Sequence, residues 1–223
     1  MKKIFAFLFL VLMMSGQSVS AAIVNSLAEG EFQEYINKTG FKILNANGID
    51  KRIVFRYSPD NSLRTSSLSK DKSVIIPKGV IMYVEAEDEL AAAIAYQIAY
   101  CLNYYESKFA NINIKLSPKK YELLADKRAV DFLVKANYSP LSMIIMINKL
   151  YGDEKSSKYN KPSVRMANIY EYIVRKYPEK LDNRRYNKNL YYQNFLLNSR
   201  YNRELLDNQL RDNPTANINF EYR

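Results

Sequence analysis

One helical run constrains this chain more than any other segment: AIAYQIAYCL, residues 93–102. It sets Tyr96 and Tyr100 four residues apart with Gln97 directly after the first, and residues four apart on a helix share a face. The acidic run Glu85, Glu87, Asp88 and Glu89 comes just before, where negative charge favours the amino end of the helix dipole. The helix is therefore expected from about Ala86 through Tyr105. Cys101 lies within the run and is the only cysteine in the chain. With no partner for an internal disulfide, it reads as a small buried hydrophobe.

The amino terminus bears on the compartment. Lys2 and Lys3 precede an apolar run from Ile4 to Met14, followed by small residues, which is the pattern of a secretory signal peptide over residues 1–21. Cleavage after Ala21 or after Ala22 places small residues at the selective positions. The run is too short for a stable membrane span, and no later segment approaches the roughly 20 apolar residues a span needs. No cysteine near the cleavage region supports a lipid anchor. The expectation is a chain exported to the periplasm or beyond the cell, without a transmembrane segment after processing.

Nearly half of the residues are apolar, enough for one substantial core with a helical appendage. Loss of Lys2 and Lys3 leaves 31 basic against 23 acidic residues, a formal charge of +8. Between Lys155 and Arg211 there are 13 Lys and Arg against 5 Asp and Glu, so the whole excess lies there. Such a charge suits an anionic envelope surface or an ordinary solvated face, whereas nucleic acid is an improbable partner for an exported chain.

Residues 29–46 read as an amphipathic helix interrupted around Gly40 and ended by Asn47-Gly48. Residues 53–57, 73–76 and 80–84 read as three short strands, with a turn at 58–61. Ser117-Pro118 caps and starts a helix to Ala136, and Asn137 takes the left-handed position after it. Ser139-Pro140 starts a helix through Leu150, Gly152 to Lys161 is a polar loop, and Pro162 begins a helix that stops before Pro178. Residues 183–213 read as a basic helix with many tyrosines, among them Tyr186, Tyr191, Tyr192 and Tyr201, packed against the rest. No repeat of solenoid period and no phosphate-cradling glycine loop is present.

Three segments, VIIPKGVIMYVEAEDELAAAIAYQIAY (74–100), YELLADKRAVDFLVKANYSP (121–140) and KPSVRMANIYEYIVRKYP (161–178), together resemble the HtpX-like and CaaX-prenyl-protease-type zinc metallopeptidases, metallopeptidase family forty-eight. The resemblance covers roughly residues 25–180. In that family the first segment ends in H-E-x-x-H, whose two histidines bind zinc and whose glutamate is the general base. The second carries a glutamate ligand in E-x-x-x-D, and the third begins His-Pro with an arginine soon after. The resemblance implies an α+β fold: a mainly helical, zincin-like (gluzincin) domain over 22–180 with a small β-sheet, and a helical extension over 181–223.

Departures from the pattern fall on the chemistry. Tyr96 and Tyr100 stand at the histidine positions, Gln97 at the base, Lys161 before Pro162, and the chain contains no histidine. Glu122, Asp126, Pro162 and Arg165 remain. An amide is not a useful base, and a phenol ligates metal well only as phenolate, costly from an ordinary pKa near 10. The expectation is therefore vestigial active-site positions at Tyr96, Gln97, Tyr100, Glu122 and Asp126, with no catalytic residue, no cofactor and no zinc. Tyr96 and Tyr100 are expected to fill the space of the missing metal, either hydrogen-bonded to Glu122 in one cluster or as plain core aromatics. Asp126 is expected to pair with Lys127, Arg128 or Arg165.

Three functions follow. One is an inactive metallopeptidase-like protein kept for peptide or protein binding, as an adaptor or regulator. A second is an active metalloendopeptidase with an unconventional oxygen-ligand site formed by Tyr96, Tyr100, Glu122 and Asp126. A third is an envelope-surface-binding protein acting through the basic extension.

Overall fold

A computed structural model describes residues 29–68, 72–105, 116–152, 159–181 and 186–198. The signal peptide expected at 1–21 and most of the basic extension, including Tyr201, lie outside the described residues. Within them the chain is a mainly helical α+β fold with a small three-stranded sheet. No helix among the described residues is long and apolar enough to cross a membrane.

After a short 3-10 turn at Glu29–Glu31, α1 (Phe32–Ala46) buries Phe32, Ile36, Thr39, Gly40, Ile43 and Leu44. These positions recur at three and four, a helical stripe. Gly40 does not interrupt the helix as its residue type suggests. Its absent side chain makes room for Phe55, whose ring would lie 2.5 Å from a Cβ placed there. At the helix end the Asn47 amide donates to the Ile43 carbonyl and, across to the next layer, to that of Phe132.

The sheet order is β1-β3-β2. β1 (Val54–Ser58) runs parallel to β3 (Ser73–Pro77), with Phe55 opposite Val74, and β2 (Ser66–Leu68) runs antiparallel on the other side, with Ser67 opposite Val74. Among the described residues β2 is thus an edge strand.

Of residues 80–84, expected as a strand, 80–83 belong instead to helix α2 (Lys78–Tyr83), and Val84 is its extended C-cap. Their β-branched types suggest a strand, but Val80 and Ile81 are both buried while Met82 and Tyr83 are both exposed, and strand alternation does not give that pairing. Pro77 stands extended just before the helix, and Gly79 lets the Asn61 backbone approach where a Cβ would collide. The third strand is therefore β2, which has neither β-branched nor aromatic residues.

The central helix α3 (Glu87–Tyr105) is buried on most of its circumference: Leu90, Ala91, Ala92, Ile94, Ala95, Ile98 and Ala99 have essentially no exposure. Its alanines let neighbours approach closely, and α1, α4 and α5 all pack on it. The acidic first turn is used by more than the helix dipole. Glu87 accepts from the Tyr138 hydroxyl, Asp88 from Tyr186, and Glu89 from the Glu85 amide and the buried Lys149 ammonium at 2.9 Å.

α4 (Pro118–Lys135) buries Glu122, Ala125, Asp126, Ala129, Val130 and Leu133 on one face. Ser117 precedes Pro118 as expected, although its side chain forms no cap hydrogen bond, and Asn137 takes the left-handed conformation at φ 59°. α5 (Ser142–Tyr151) begins two residues after its Pro140 signal, and α6 (Pro162–Lys176) starts at its proline. In the extension, Tyr186 lies in a turn and α7 (Leu190–Asn198) packs against α5, with Tyr186, Tyr192 and Phe195 buried.

Candidate functional site

Helices α3 and α4 and the edge strand β2 enclose one pocket of about 250 Å³. Tyr96, Gln97 and Tyr100 line it from α3, Glu122 from α4, and Thr65, Ser66 and Ser67 from the β2 side. The helical spacing at 96, 97 and 100 and the period on α4 bring these side chains to the same space. The two tyrosines do not fill it: their ring centroids are 6.1 Å apart, tilted by 39°, and the pocket remains between them and β2.

The centre of the site is Arg165, delivered by the first turn of α6. Its Nε donates to Asp126 Oδ2 at 2.9 Å and its Nη2 to Oδ1 at 2.6 Å, a two-point pair of a kind that fixes geometry as well as charge. Its Nη1 stands 3.6 Å from Glu122 Oε1. The guanidinium carbon lies 4.7 Å from the centroid of Tyr96 and 5.6 Å from that of Tyr151, so its faces meet π clouds while its edges meet carboxylates. Of the three partners expected for Asp126, the structure selects Arg165.

Glu122 is buried, but its carboxylate goes to Asn160 and Arg165 instead of the two phenols. Oε2 accepts from the Asn160 backbone amide at 2.8 Å and from its side-chain amide at 2.9 Å, and the latter also donates to the Lys119 carbonyl. The expected Tyr96–Glu122–Tyr100 cluster gives way because a carboxylate gains more from a charged partner and a backbone amide than from phenols. Gln97 donates to Thr65 Oγ1 at 2.7 Å, tying α3 to the segment before β2, and the Thr65 hydroxyl is in turn a hydrogen-bond neighbour of the Tyr151 phenol.

The electrostatics follow from burial. Complete burial pushes Asp126 above the usual carboxylate range, against the pull of Arg165. Burial also pushes the Tyr96 phenol well above its ordinary range, with Asp126 and Glu122 adding to the effect against Arg165, and Tyr151 moves the same way. Both phenols therefore stay protonated at any physiological pH. Against the lowering effect of its own burial, the Asp126 carboxylate raises Arg165 further above its already high value, so it is a permanent cation.

These residues do not fit a zinc ion. Asp126 is taken up by a guanidinium, Glu122 by an amide pair and the same guanidinium, and Tyr96 is held as a neutral phenol; no nitrogen or thiolate donor faces the pocket centre. No group of three or more His, Cys, Asp or Glu side chains that could hold a metal occurs among the described residues.

Asn160, Thr65, Tyr151 and Arg64 complete the site and were not signalled by motif spacing. Asn160 had one indirect signal, an asparagine two residues before a helix-starting proline. Thr65 sits in a short polar run, and Tyr151 precedes Gly152 at a helix end, places where residue type says little about partners. Against known proteins, the chain matches no protein-family model and no curated protein.

Proposed function

We infer that the chain is an exported, non-catalytic relative of zinc metallopeptidases with a gluzincin-like arrangement, and that it binds an extended peptide or protein segment. One observation carries this reading: the side chains that the resemblance sets at the H-E-x-x-H positions meet Glu122 in one pocket beside an edge strand, while a guanidinium holds the two carboxylates. An amide at the base position leaves nothing there to take a proton from water. The edge strand leaves one row of backbone groups for an added strand.

The test uses the chain without residues 1–21, purified without a histidine tag and incubated with zinc and a mixture of short peptides. Metal is counted by plasma mass spectrometry and peptides are followed by mass spectrometry. Near-zero bound metal with peptides retained uncut is expected. About one metal per chain together with peptide cleavage, both lost in Glu122→Gln, would overturn the reading in favour of an unconventional metalloendopeptidase. Amino-terminal sequencing of the protein recovered outside the cytoplasm should begin at residue 22 or 23; an intact Met1 there would remove export from the proposal.

A further inference from the structure

Resting on the peptide-binding reading, the pocket's own polar atoms indicate which side chain of a bound segment it takes. Three of them keep hydrogen-bonding capacity among the described residues. Gln97, only 5% exposed, gives its Nε2 to Thr65 at 2.7 Å, and its Oε1 has no donor. Glu122, 4% exposed, gives Oε2 to Asn160, while Oε1 has only the Arg165 Nη1 at 3.6 Å, beyond hydrogen-bond length. The Tyr96 phenol is acted on by the charges around it and makes no hydrogen bond. None of the three is sealed in: the buried polar atoms without a partner belong to Thr39, Asn47, Asn187 and Tyr192, none of which lines this pocket.

Charge then narrows the class of ligand. Arg165 stands beside the same Glu122 oxygen, so an ammonium placed there meets a guanidinium as well as a carboxylate. A carboxylate placed there faces Glu122, with Asp126 one helical turn along α4. Glu122 and Asp126 against Arg165 and Arg64 leave no net charge to favour either ion. The uncharged group with the matching pattern is a primary carboxamide. It has two N–H donors for Gln97 Oε1 and Glu122 Oε1, and a carbonyl for the Tyr96 hydroxyl, which burial keeps protonated. An aliphatic hydroxyl has a single proton and cannot meet both acceptors.

The neighbouring edge decides how such a group arrives. β2 pairs with β3 on one side only, and Ser66 and Ser67 of β2 also line the pocket. Alternate side chains of a segment laid along β2 turn toward it. At about 250 Å³ the pocket is smaller than the roughly 300–1,000 Å³ that encloses a drug-sized ligand, and it suits a single side chain.

We propose that the pocket takes the carboxamide side chain of an Asn or Gln in an extended peptide laid along β2, its N–H groups donating to Gln97 and Glu122 and its carbonyl accepting from Tyr96.

The experiment is fluorescence polarisation with pools of random short peptides made of uncharged residues other than Asn and Gln. Each is labelled through its amino end and closed as a methylamide, so that neither end carries a charge or a primary amide. One central position is Gln, Asn, Glu, Lys or Leu. The Gln or the Asn pool should bind about tenfold more tightly than the Glu, Lys and Leu pools, on the order of one hydrogen bond to a charged group. Tyr96→Phe keeps the ring and removes an unbonded hydroxyl, so the urea midpoint should hold while that preference falls severalfold. Gln97→Glu replaces a neutral acceptor by a carboxylate and should move the preference to the Lys pool. A Lys or Glu preference in the unsubstituted chain, or a carboxamide preference that both substitutions leave untouched, overturns the proposal. Equal binding of all pools also overturns it and leaves peptide binding standing. Binding of none overturns both.

Discussion

Removing the guanidinium of Arg165 tests the physical account of the site most directly. Arg165→Met keeps an unbranched stem of similar reach and deletes the groups that bond Asp126 at 2.6 and 2.9 Å and approach Glu122 at 3.6 Å. Glu122 retains Asn160, but Asp126, with no exposure, loses both of its arginine bonds. Breaking a buried pair by removing one partner costs about 3–5 kcal/mol. At ~2–4 °C per kcal/mol for a chain of this size, the melting temperature falls by roughly 6–20 °C. The sign with pH follows from Asp126, whose folded-state pKa lies above its unfolded value. A raised carboxylate takes up a proton on folding, so its contribution to stability grows as pH falls through the folded pKa and is lost as pH rises. Without Arg165 the pKa rises further, and the cost of the substitution should shrink on acidification by up to ~1.4 kcal/mol per pH unit. Urea unfolding at several pH values, followed by circular dichroism or by the fluorescence of the 19 tyrosines in a chain without tryptophan, measures this. Asp126→Asn combined with Arg165→Met should recover most of the loss at neutral pH. A cost below about 1 kcal/mol that does not vary with pH, or a double variant no better than Arg165→Met alone, would refute a charge held in place by its partner.

Other parts of the fold give independent expectations. Gly40→Ala sets a methyl 2.5 Å from the Phe55 ring and should cost about 1–3 kcal/mol by calorimetry, although alanine is the better helix former. Tyr192→Phe removes a buried hydroxyl that has no hydrogen-bond partner, so unfolding should show unchanged stability or a gain of roughly 1 kcal/mol. Lys149→Met strands Glu89, which burial already raises above the ordinary carboxylate range, and should destabilise by about 3 kcal/mol at neutral pH, with the loss shrinking as pH is lowered.

Much of the helical framework is legible in the sequence because its punctuation is chemical. Pro118 and Pro162 open α4 and α6, Asn137 closes α4 in the left-handed conformation, and the acidic run opens α3. The sheet is harder to read because pairing, and not residue type, makes its third strand. Ser66-Ser67-Leu68 is extended through its ladder to β3, while the β-branched stretch after Pro77 is helical because both Val80 and Ile81 must turn inward. In the site, spacing puts Tyr96 and Tyr100 on one helix face, and it is the family resemblance that turns that face toward Glu122, with which both line one pocket. The competition for Glu122 is not legible, since Asn160 reaches it only through the path of the chain just before α6.

The two acids one helical turn apart on α4 bring a charge of −2 into the core once both ionise, and Arg165 supplies +1 from within. Its own burial is what raises Asp126 and Arg165 opposes it, so Arg165 has no capacity to turn outward without losing the pair that holds the Asp126 charge.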